Sequence, residues 1–298
     1  MTAAYILSQV ANGLILGSMY ALIAIGFSMI YGIVRLINFA HGDIFTIGAF
    51  TTLASLVFLN LPFPLAVVVV LIAGAVCGMV IERIAFRPMR GSPQVTGFIA
   101  SLAVAIILEN LAVMTISAQP RTFLVPEYLN TLVALGPVTV RVIDLAIVAL
   151  SIGLMVALMI FVGFTRVGIA MRATAENYDV ARLMGINIDR MIMFAFAIGS
   201  GLAAVGGLMW GSKYGQISPL MGLLPGLKAF IAAVIGGVGS IPGAVLGGYV
   251  LGLSEVLFVG LLPPEHSGFR NAFVFGALIL VLLVMPNGLL GKPTETRA

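Results

Sequence analysis

The sequence predicts an all-α, polytopic integral membrane protein with eight or nine transmembrane segments, some of them broken or re-entrant. Apolar residues make up 61% of the 298 positions, and charged residues make up only 9%. Soluble domains carry about 25% charged residues, so this chain lacks the side chains for a hydrated surface. Apolar stretches of about 20 residues, the length that crosses a bilayer as a helix, recur along most of the chain.

Nine apolar stretches are candidates for these segments. The seventh is too short to cross as a plain helix, so we expect it to be broken or re-entrant. The first lacks a basic region before it and an A-x-A-like cleavage site after it, which predicts a retained helix and not a signal peptide. The candidates cover residues 10–30, 40–59, 64–81, 96–116, 143–164, 191–210, 224–235, 243–261 and 271–284.

Positive charges are divided unevenly between the two sets of loops. Nine crossings place the segments 31–39, 82–95, 165–190 and 285–298 on one side. That side holds ten cations, namely Arg35, Arg83, Arg87, Arg90, Arg166, Arg172, Arg182, Arg190, Lys292 and Arg297. The opposite side holds five, namely Arg121, Arg141, Lys213, Lys228 and Arg270. Cytoplasmic loops are enriched in Lys and Arg, so the first side and the C-terminus are predicted to be cytoplasmic and the N-terminus external.

Small residues recur four positions apart in the apolar stretches, as at Gly13 and Gly17 or Gly74 and Gly78. Such pairs let helix backbones approach closely in lipid, where hydrophobicity does not drive helices together. They predict either tight packing within one chain or a path or subunit interface that is lined by backbone.

The two longest polar segments differ in character. Residues 165–190, on the predicted cytoplasmic side, intersperse apolar residues with charged ones, which predicts a short amphipathic helix that stops at Gly185, with Asn187 just beyond it. Residues 117–142, on the external side, contain three prolines that break helices. This external segment is either a simple loop or a docking surface for an extracytoplasmic partner.

The segment 165–190 also carries a family resemblance. Ala175, Glu176 and Asn177, followed by Gly185, resemble the EAA-type coupling loop of ABC importer permeases. The string MRATAENYDVARLMGINIDR, at 171–190, resembles the branched-chain amino acid permeases of the LivH type. The resemblance extends over most of the chain through NGLILGSMYALIAIGFSMIYGIVRLINFAHGD (12–43), ERIAFRPMRGS (82–92), GLKAFIAAVIGGVGSIPGAVLGGYVLGLSE (226–255) and LLVMPNGLLG (282–291).

The resemblance implies a division of labour. Residues 1–298 would form one transmembrane permease domain in the cell inner membrane, with 165–190 as its cytoplasmic coupling loop. Its partners would be a second permease subunit, two cytoplasmic ATP-binding subunits and a periplasmic substrate-binding protein. The substrate would be a branched-chain amino acid, although similar relatives serve urea and short amides. The residues that couple to the ATPase would be Arg172, Ala175, Glu176, Asn177, Arg182 and Gly185.

Polar residues and glycines interrupt the apolar stretches at two places, near 38–43 and near 236–243. The first is either a polar turn with Asp43 as a helix cap or broken backbone that lines a translocation path, because polar groups at membrane depth face protein or water. Both places are predicted to contribute to that path. The path candidates are Asn38, His41, Asp43, Gly236, Gly237, Gly239 and Ser240.

Two carboxylates, Glu109 and Glu255, lie within predicted spans, where a buried charge is costly. Either they are paired structurally, with Lys228 or a backbone donor, or they carry protons. The second alternative corresponds to an ion-coupled secondary transporter of small amino acids or amides, a class that often shows inverted repeats with broken helices. No convincing repeat relates the two halves, and the coupling-loop resemblance disfavours both this class and a channel.

Several other functions lack their motifs. Gly291 and Lys292 are followed by Pro293 and not by a phosphate-binding loop, so ATP hydrolysis is expected in partner subunits. Neither H-E-x-x-H nor G-x-S-x-G occurs, and we predict no catalytic residue, no metal site and no cofactor. The net charge of +4 is explained by membrane loops without a nucleic-acid partner, and the single Cys77 excludes an internal disulfide.

Overall fold

The computed structural model describes residues 3–291, apart from the side chains of Gln94 and Pro264. Helices dominate that range, and four short strands accompany them. The helices are α1 Ala3–Val34, α2 His41–Val57, α3 Phe63–Ile81, α4 Gln94–Thr115, α5 Val142–Phe164, α6 Arg166–Glu176, α7 Tyr178–Leu183, α8 Ile188–Tyr214, α9 Leu223–Gly236, α10 Ile241–Leu261 and α11 Arg270–Val284. The strands are β1 Arg121–Thr122, β2 Leu132–Leu135, β3 Val138–Arg141 and β4 Gln216–Ile217.

Seven helical segments of the described range are long and apolar enough to cross a membrane, and α11 reaches that length only together with the helical turn that precedes it from Glu265. Two others, α2 with 17 residues and α9 with 14, fall short. At 1.5 Å per residue they reach about 26 Å and about 21 Å, against a hydrocarbon core of about 30 Å. The prediction of an all-α, polytopic membrane protein is confirmed, and the seventh predicted span is indeed too short for a complete crossing.

The bundle is centred on α1 and α8. Helices α5, α8, α9 and α10 pack on α1, and α2 and α3 pack on α8. Glycines permit these contacts: a β-carbon added at Gly17 of α1 would lie 2.9 Å from the Tyr249 Cα of α10, and one added at Gly74 of α3 would meet Ala204 of α8. The spaced glycines of these helices therefore serve tight packing within one chain.

Contacts between loops define two ends of the molecule. At the α6–α7 end, the Tyr178 hydroxyl donates to the carbonyl of Ile33, and Arg87 pairs with Asp189 at 2.7 Å. At the opposite end, called the hairpin end, β1 pairs with β4 and the amide of Phe123 donates to the carbonyl of Gly215 at 2.9 Å. The loops in the described range thus group as the charge distribution predicts, while Lys292 and Arg297 lie outside that range.

One cation departs from this grouping. Lys228 was predicted among the charges of the external side, but it is buried within α9 and its Nζ lies 2.5 Å from Oε1 of Glu255. The difference arises because a carboxylate within the bundle holds the lysine there.

Two of the crossings combine an irregular segment with a short helix. After α1, residues 35–40 return to the middle of the bundle, where Nε2 of His41 lies 3.3 Å from the carbonyl oxygen of Ile23. After β4, residues 218–222 lead to α9, and Gly222 packs directly against the backbone of Gly42. The starts of the two short helices therefore meet inside the bundle.

The first break lies where the sequence predicts it, whereas the predicted interruption near 236–243 is a turn between two helices and not broken backbone inside the bundle. Gly237 and Gly239 have φ values of +105° and +87° and form the turn between α9 and α10. Positive φ values at two glycines reverse the chain between neighbouring helices. The second break lies instead at residues 218–222, before α9.

The proline-containing segment at 117–142 contains strands that the sequence reading did not predict. β2 and β3 form an antiparallel hairpin around Gly136, whose φ is +63°, and β1 pairs antiparallel with β4. Phe123 and Ile217 are buried together with Ala49 beneath the second pair. This end of the molecule is therefore a small structured cap and not an open loop.

Candidate functional site

The segment that the sequence predicts as one amphipathic helix consists of two helices. Asn177 lies between α6 and α7 with extended backbone, at φ −156° and ψ 117°. Its Oδ1 accepts hydrogen bonds from the amides of Asp179 at 2.9 Å and Val180 at 3.1 Å. An asparagine that caps a new helix has left helical geometry itself, so the prediction of a continuous helix through this position is wrong.

Side chains and a glycine fix the other boundaries of this segment. Oγ1 of Thr165 accepts from the Gly168 amide at 3.0 Å and begins α6, and Oδ1 of Asn187 accepts from the Arg190 amide at 3.1 Å and begins α8. Gly185 has a φ of +79°, which confirms it as the residue that ends α7. The segment is thus bounded by specific caps and has a defined shape.

The two helices hold one face against the bundle and expose the other. Met171, Thr174 and Ala181 are buried. Leu183 and Met184, by contrast, are 86% and 77% exposed. Large apolar side chains at the tip of a structured segment are characteristic of an interaction surface.

The predicted coupling residues fall into two groups. Glu176, Asn177, Arg182 and Gly185 lie on the exposed part of the segment, and the side chains of Glu176 and Arg182 have no ion pair or hydrogen bond with any described residue. Arg172 behaves differently, and Ala175 lies beside it. The Arg172 guanidinium donates to the Gly163 carbonyl at 3.2 Å. Arg172 and Ala175 both line a cavity of about 70 Å³ against α1.

The α6–α7 segment is tied to the ends of neighbouring helices. Burial raises the pKa of the Tyr178 hydroxyl, which therefore stays protonated at neutral pH and donates to Ile33 at the end of α1. Arg90 bridges the buried carboxylate of Glu82, just after α3, to Asp189 in the first turn of α8. A displacement of α7 would therefore reach α1 through Tyr178, and by way of the start of α8 it would reach the end of α3 through Arg90. Sequence reasoning missed this ion network, although it had placed both of the loops involved on the same side.

The first group of path candidates lies inside the bundle. Asn38, His41 and Asp43 are 2%, 2% and 5% exposed. Both amide atoms of Asn38, Nδ1 of His41 and Oγ1 of Thr46 have no hydrogen-bond partner among the described residues. The N-cap residue of α2 is Ala40, so the prediction that Asp43 caps this helix is wrong. The group is a set of unsatisfied polar atoms beside the two broken crossings.

The second group lies elsewhere, at the α6–α7 end. Gly236, Gly237, Gly239 and Ser240 connect α9 to α10, where Oγ of Ser240 accepts from the Gly243 amide at 3.1 Å. The amide of Gly239 donates to Oγ of Ser28 in α1 at 2.9 Å. The structure therefore does not bring the two groups of path candidates together.

The two intramembrane carboxylates differ as well. Glu255 is fully buried and pairs with Lys228, as one alternative predicted, and also with Arg270, which the sequence reading missed. Glu109 lies half-buried on α4 and has no ion pair with a described residue, so the predicted pairing with Lys228 does not apply to it. A further pair that the sequence did not indicate joins Lys213 to Asp144 at 2.7 Å, near the start of α5.

Comparison with known proteins identifies the family. Residues 9–284 match the family described as branched-chain amino acid transport system / permease component. The chain is 40% identical to the high-affinity branched-chain amino acid transport system permease protein LivH of Escherichia coli (strain K12), over 97% of this chain and 96% of the relative. It is 37% identical to the corresponding permease protein BraD of Pseudomonas aeruginosa, over 96% of both chains.

A more distant relative and the solved structures complete the comparison. Identity to the probable branched-chain amino acid transport permease protein LivH of Methanocaldococcus jannaschii is 29%, over 95% of this chain and 89% of the relative. No solved structure matches the chain. The match of nearly the full length to the family, together with the multi-pass helical fold, shows that this chain belongs to the permease components of branched-chain amino acid transport systems.

Proposed function

We propose that this chain is the membrane-spanning subunit of an ATP-driven importer of branched-chain amino acids. Its family supports the transport role, and the relatives' names supply the substrate class. The single structural observation that carries the ATP-driven mechanism is the capped α6–α7 segment, which exposes Glu176, Arg182 and Leu183 at one end of an otherwise apolar bundle.

The proposed assembly has four kinds of partner. A second permease subunit completes the translocation path, two cytoplasmic ATP-binding subunits supply the energy, and a periplasmic binding protein delivers the amino acid at the hairpin end. The bundle lies in the cell inner membrane as one permease domain. Positive charges concentrated at the α6–α7 end support its placement in the cytoplasm.

In this mechanism the α6–α7 segment is the coupling element. The exposed side chains of Leu183 and Met184 fill an apolar groove on the ATPase, while Glu176 and Arg182 fix the orientation through charge-assisted hydrogen bonds. Movement of the ATPase then passes to α1 through Tyr178. It also passes along the chain to the start of α8, and from there through Arg90 to the end of α3. The unsatisfied polar atoms at the two broken crossings would line the path that this movement opens.

The coupling assignment is tested with Glu176→Ala and Gly185→Val. Removal of one partner of a buried interfacial charge pair costs about 2–5 kcal/mol, so Glu176→Ala is expected to weaken co-purification of the ATPase or to uncouple ATP hydrolysis from uptake. No atom lies within 4 Å of the position that a β-carbon would occupy at Gly185, so Gly185→Val acts only through backbone strain at positive φ. The measurement is leucine uptake in proteoliposomes, with an ATPase pull-down.

Two control variants make this test specific. Glu127→Ala removes an exposed carboxylate at the hairpin end and is expected to leave pull-down unchanged. Gly185→Asn is expected to restore most of the assembly that Gly185→Val loses, because asparagine tolerates left-handed backbone. Wild-type uptake and wild-type assembly in both Glu176→Ala and Gly185→Val would remove the case for this coupling element.

The sidedness is tested by labelling single cysteines in a Cys77→Ala background. Cysteines at Glu176 and Glu127 are expected to react with an impermeant thiol reagent from opposite sides, because these exposed residues lie at the α6–α7 end and the hairpin end. Labelling of both from the same side would refute the topology.

The energy source is tested by dissipating the proton gradient while ATP is held constant. Uptake that collapses under this condition would point instead to an ion-coupled transporter.

A further inference from the structure

Helices α4 and α11 form the least buried of the membrane-spanning segments in the described range. Only 11% and 6% of their most apolar windows are buried within the chain. After Arg270 and Asn271 at its start, α11 consists of apolar residues and one glycine. Helix α4 instead carries Glu109, which is half-buried, and Asn110, which is exposed. Of these two sparsely covered helices, only α4 presents a carboxylate and an amide to its surroundings far from its ends.

These two polar residues lie at membrane depth. Glu109 and Asn110 precede the end of α4 at Thr115 by six and five residues, and they follow its start at Gln94 by fifteen and sixteen. With a rise of 1.5 Å per residue, both lie about 8 Å from one end of the helix and more than about 20 Å from the other. The hydrocarbon core of about 30 Å therefore covers them. Polar groups at this depth are costly in lipid and face protein or water instead.

The chain itself does not supply partners for this pair. The carboxylate of Glu109 has no ion pair and no hydrogen bond with a described residue, and it lies close enough to Asp43 for the two carboxylates to repel each other. Nδ2 of Asn110 donates to the Ile106 carbonyl of its own helix at 2.7 Å, while its Oδ1 has no partner in the described range. Both side chains therefore lack the donors that a membrane protein provides for polar groups at this depth.

Helix α4 contacts its own chain through one face and points Asn110 away from it. A β-carbon added at Gly97 would lie 2.9 Å from the side chain of Leu36, and Ser101, one turn later, is fully buried. Asn110 follows Ser101 by nine residues, which turns it about 180° around the helix axis. Ile106, one turn before Asn110, is 58% exposed. This outward face of α4 combines apolar side chains with one polar group, which suits contact with another helix better than the wall of an aqueous channel.

We infer that the outward face of α4, defined by Ile99, Ile106 and Asn110, is the interface with a second permease chain whose sequence differs from this one. The inference rests on the proposed function, which requires a second permease but does not say where it binds. The contacting helix of that partner carries a hydrogen-bond donor, an amide or a cationic side chain, at the depth of Glu109. Its donor satisfies the carboxylate and its apolar side chains cover Ile99 and Ile106, which are 60% and 58% exposed.

Charge favours this partner over the two other candidates, lipid and a second copy of this chain. Acyl chains offer no hydrogen-bond donor, so lipid leaves the polar pair unsatisfied. Two copies in one membrane are related by an axis along the membrane normal, so identical residues lie at the same depth. Both Glu109 carboxylates, each with Asp43 nearby, would then lie at one depth, and α4 contains no cation to separate them. A chain of different sequence can supply the missing donor.

The test is photo-crosslinking in the complete assembly. The photoreactive residue p-benzoylphenylalanine replaces Ile106 of α4 or, as the matched control, Ile279 of α11, which is 59% exposed. The chain is expressed with the other subunits of its transport system, purified through its own tag in a form that takes up leucine, and irradiated. Sequencing of the crosslinked peptides is expected to show a membrane-spanning peptide of the second permease at position 106 and lipid adducts alone at position 279.

A double variant tests the polar pair itself. Glu109→Leu combined with Asn110→Leu is expected to lower the amount of second permease that co-purifies with the chain by about fivefold, the effect of losing one or two hydrogen bonds between helices in lipid. Glu109→Gln alone keeps a hydrogen-bonding side chain and is expected to retain most of the pairing. Thermal unfolding of the chain purified alone is expected to be unchanged by the double variant, which separates lost pairing from lost folding. Unchanged co-purification in the double variant would contradict the role of the pair.

The outcomes separate this inference from the proposed function. Lipid adducts alone at position 106, or equal crosslinking to the second permease at both positions, would overturn the α4 interface while ATP-dependent leucine uptake left the proposed function standing. A crosslink from position 106 to a second copy of this chain would overturn the choice of partner. An assembly that takes up leucine without any second permease would instead refute that part of the proposed function, and the inference with it.

Discussion

Helices α1 and α8 are about as apolar as helices α4 and α11, but the two pairs have opposite surroundings. Their most apolar windows have mean hydropathy values of 2.0 and 1.9 for α1 and α8, and 2.1 and 1.9 for the segments of α4 and α11. Yet 94% and 78% of the first two windows are buried within the chain, against 11% and 6% of the other two. Apolarity thus decides that a helix enters the membrane and does not decide whether it is surrounded by protein or by lipid.

Small residues account for the difference. Gly26 of α1 and Gly199 of α8 touch backbone to backbone, and a β-carbon added at Gly26 would lie 2.5 Å from the Gly199 carbonyl oxygen. On α4 the corresponding surface consists of large side chains such as Ile106 and Ile107, which are 58% and 57% exposed. Close helix contact in lipid depends on backbones that can approach, and the glycines at the contact between α1 and α8 let these two helices pack together at the centre.

The largest effect is expected when a central glycine is enlarged. Gly26→Leu forces a side chain into the α1–α8 contact, and overpacking of this kind costs about 3 kcal/mol because neither backbone can yield. Gly276→Leu in α11 adds the same side chain where no atom lies within 4 Å, and it is expected to leave stability unchanged or slightly raised. Thermal unfolding in detergent measures both, and similar midpoints would contradict the central placement of α1 and α8.

The second prediction compares the two intramembrane carboxylates. Glu255→Leu leaves Lys228 and Arg270 without their partner inside the bundle, and loss of one member of a fully buried ion pair costs about 3–5 kcal/mol. The Arg270 side chain is 38% exposed and can regain water, so we expect a cost below the about 3 kcal/mol of Gly26→Leu. Glu109→Leu on α4 is expected to shift the unfolding midpoint little, since Glu109 has no ion pair with a described residue.

Glu109→Gln and Glu255→Gln sharpen the functional side of this comparison. Uptake is expected to remain ATP-dependent in both variants and insensitive to a proton ionophore, because the proposed mechanism needs no proton route. Uptake by the wild type under the same conditions is the reference. A proton-gradient requirement that disappears in either variant would assign that carboxylate to ion coupling.

The smallest effects are expected at the α6–α7 end. Arg87→Ala removes an ion pair whose two side chains are 40% and 51% exposed, and such surface pairs contribute about 1 kcal/mol or less. Arg90→Ala leaves the buried carboxylate of Glu82 unpaired, which is expected to cost about 1–3 kcal/mol. Thermal unfolding in detergent distinguishes the two variants. A loss of stability in Arg87→Ala as large as that in Arg90→Ala would contradict this ranking.

The coupling segment shows how far local sequence signals reach. Gly185 was predicted as a helix end, because a glycine after an apolar pattern favours left-handed backbone, and its φ is +79°. The break at Asn177 carried a signal as well, since asparagine followed by Asp179 is a good helix start. That signal was outweighed by the alanine-rich sequence before it, which favours a continuing helix. The contact of Arg172 with Gly163 had no local signal at all.

The sequence by itself determined that lipid is the solvent of this chain, where its crossings lie, which loops share a side and which family it belongs to. These properties depend on local composition and on sequence motifs, so they can be predicted without any knowledge of tertiary contacts. Only the tertiary structure decided that α1 and α8 are central, that α2 and α9 meet after irregular segments, and that Lys228, Glu255 and Arg270 form one cluster. The physical reason is that lipid and a neighbouring helix are equally apolar, so the choice between them depends on the shapes and charges of residues far apart in the chain.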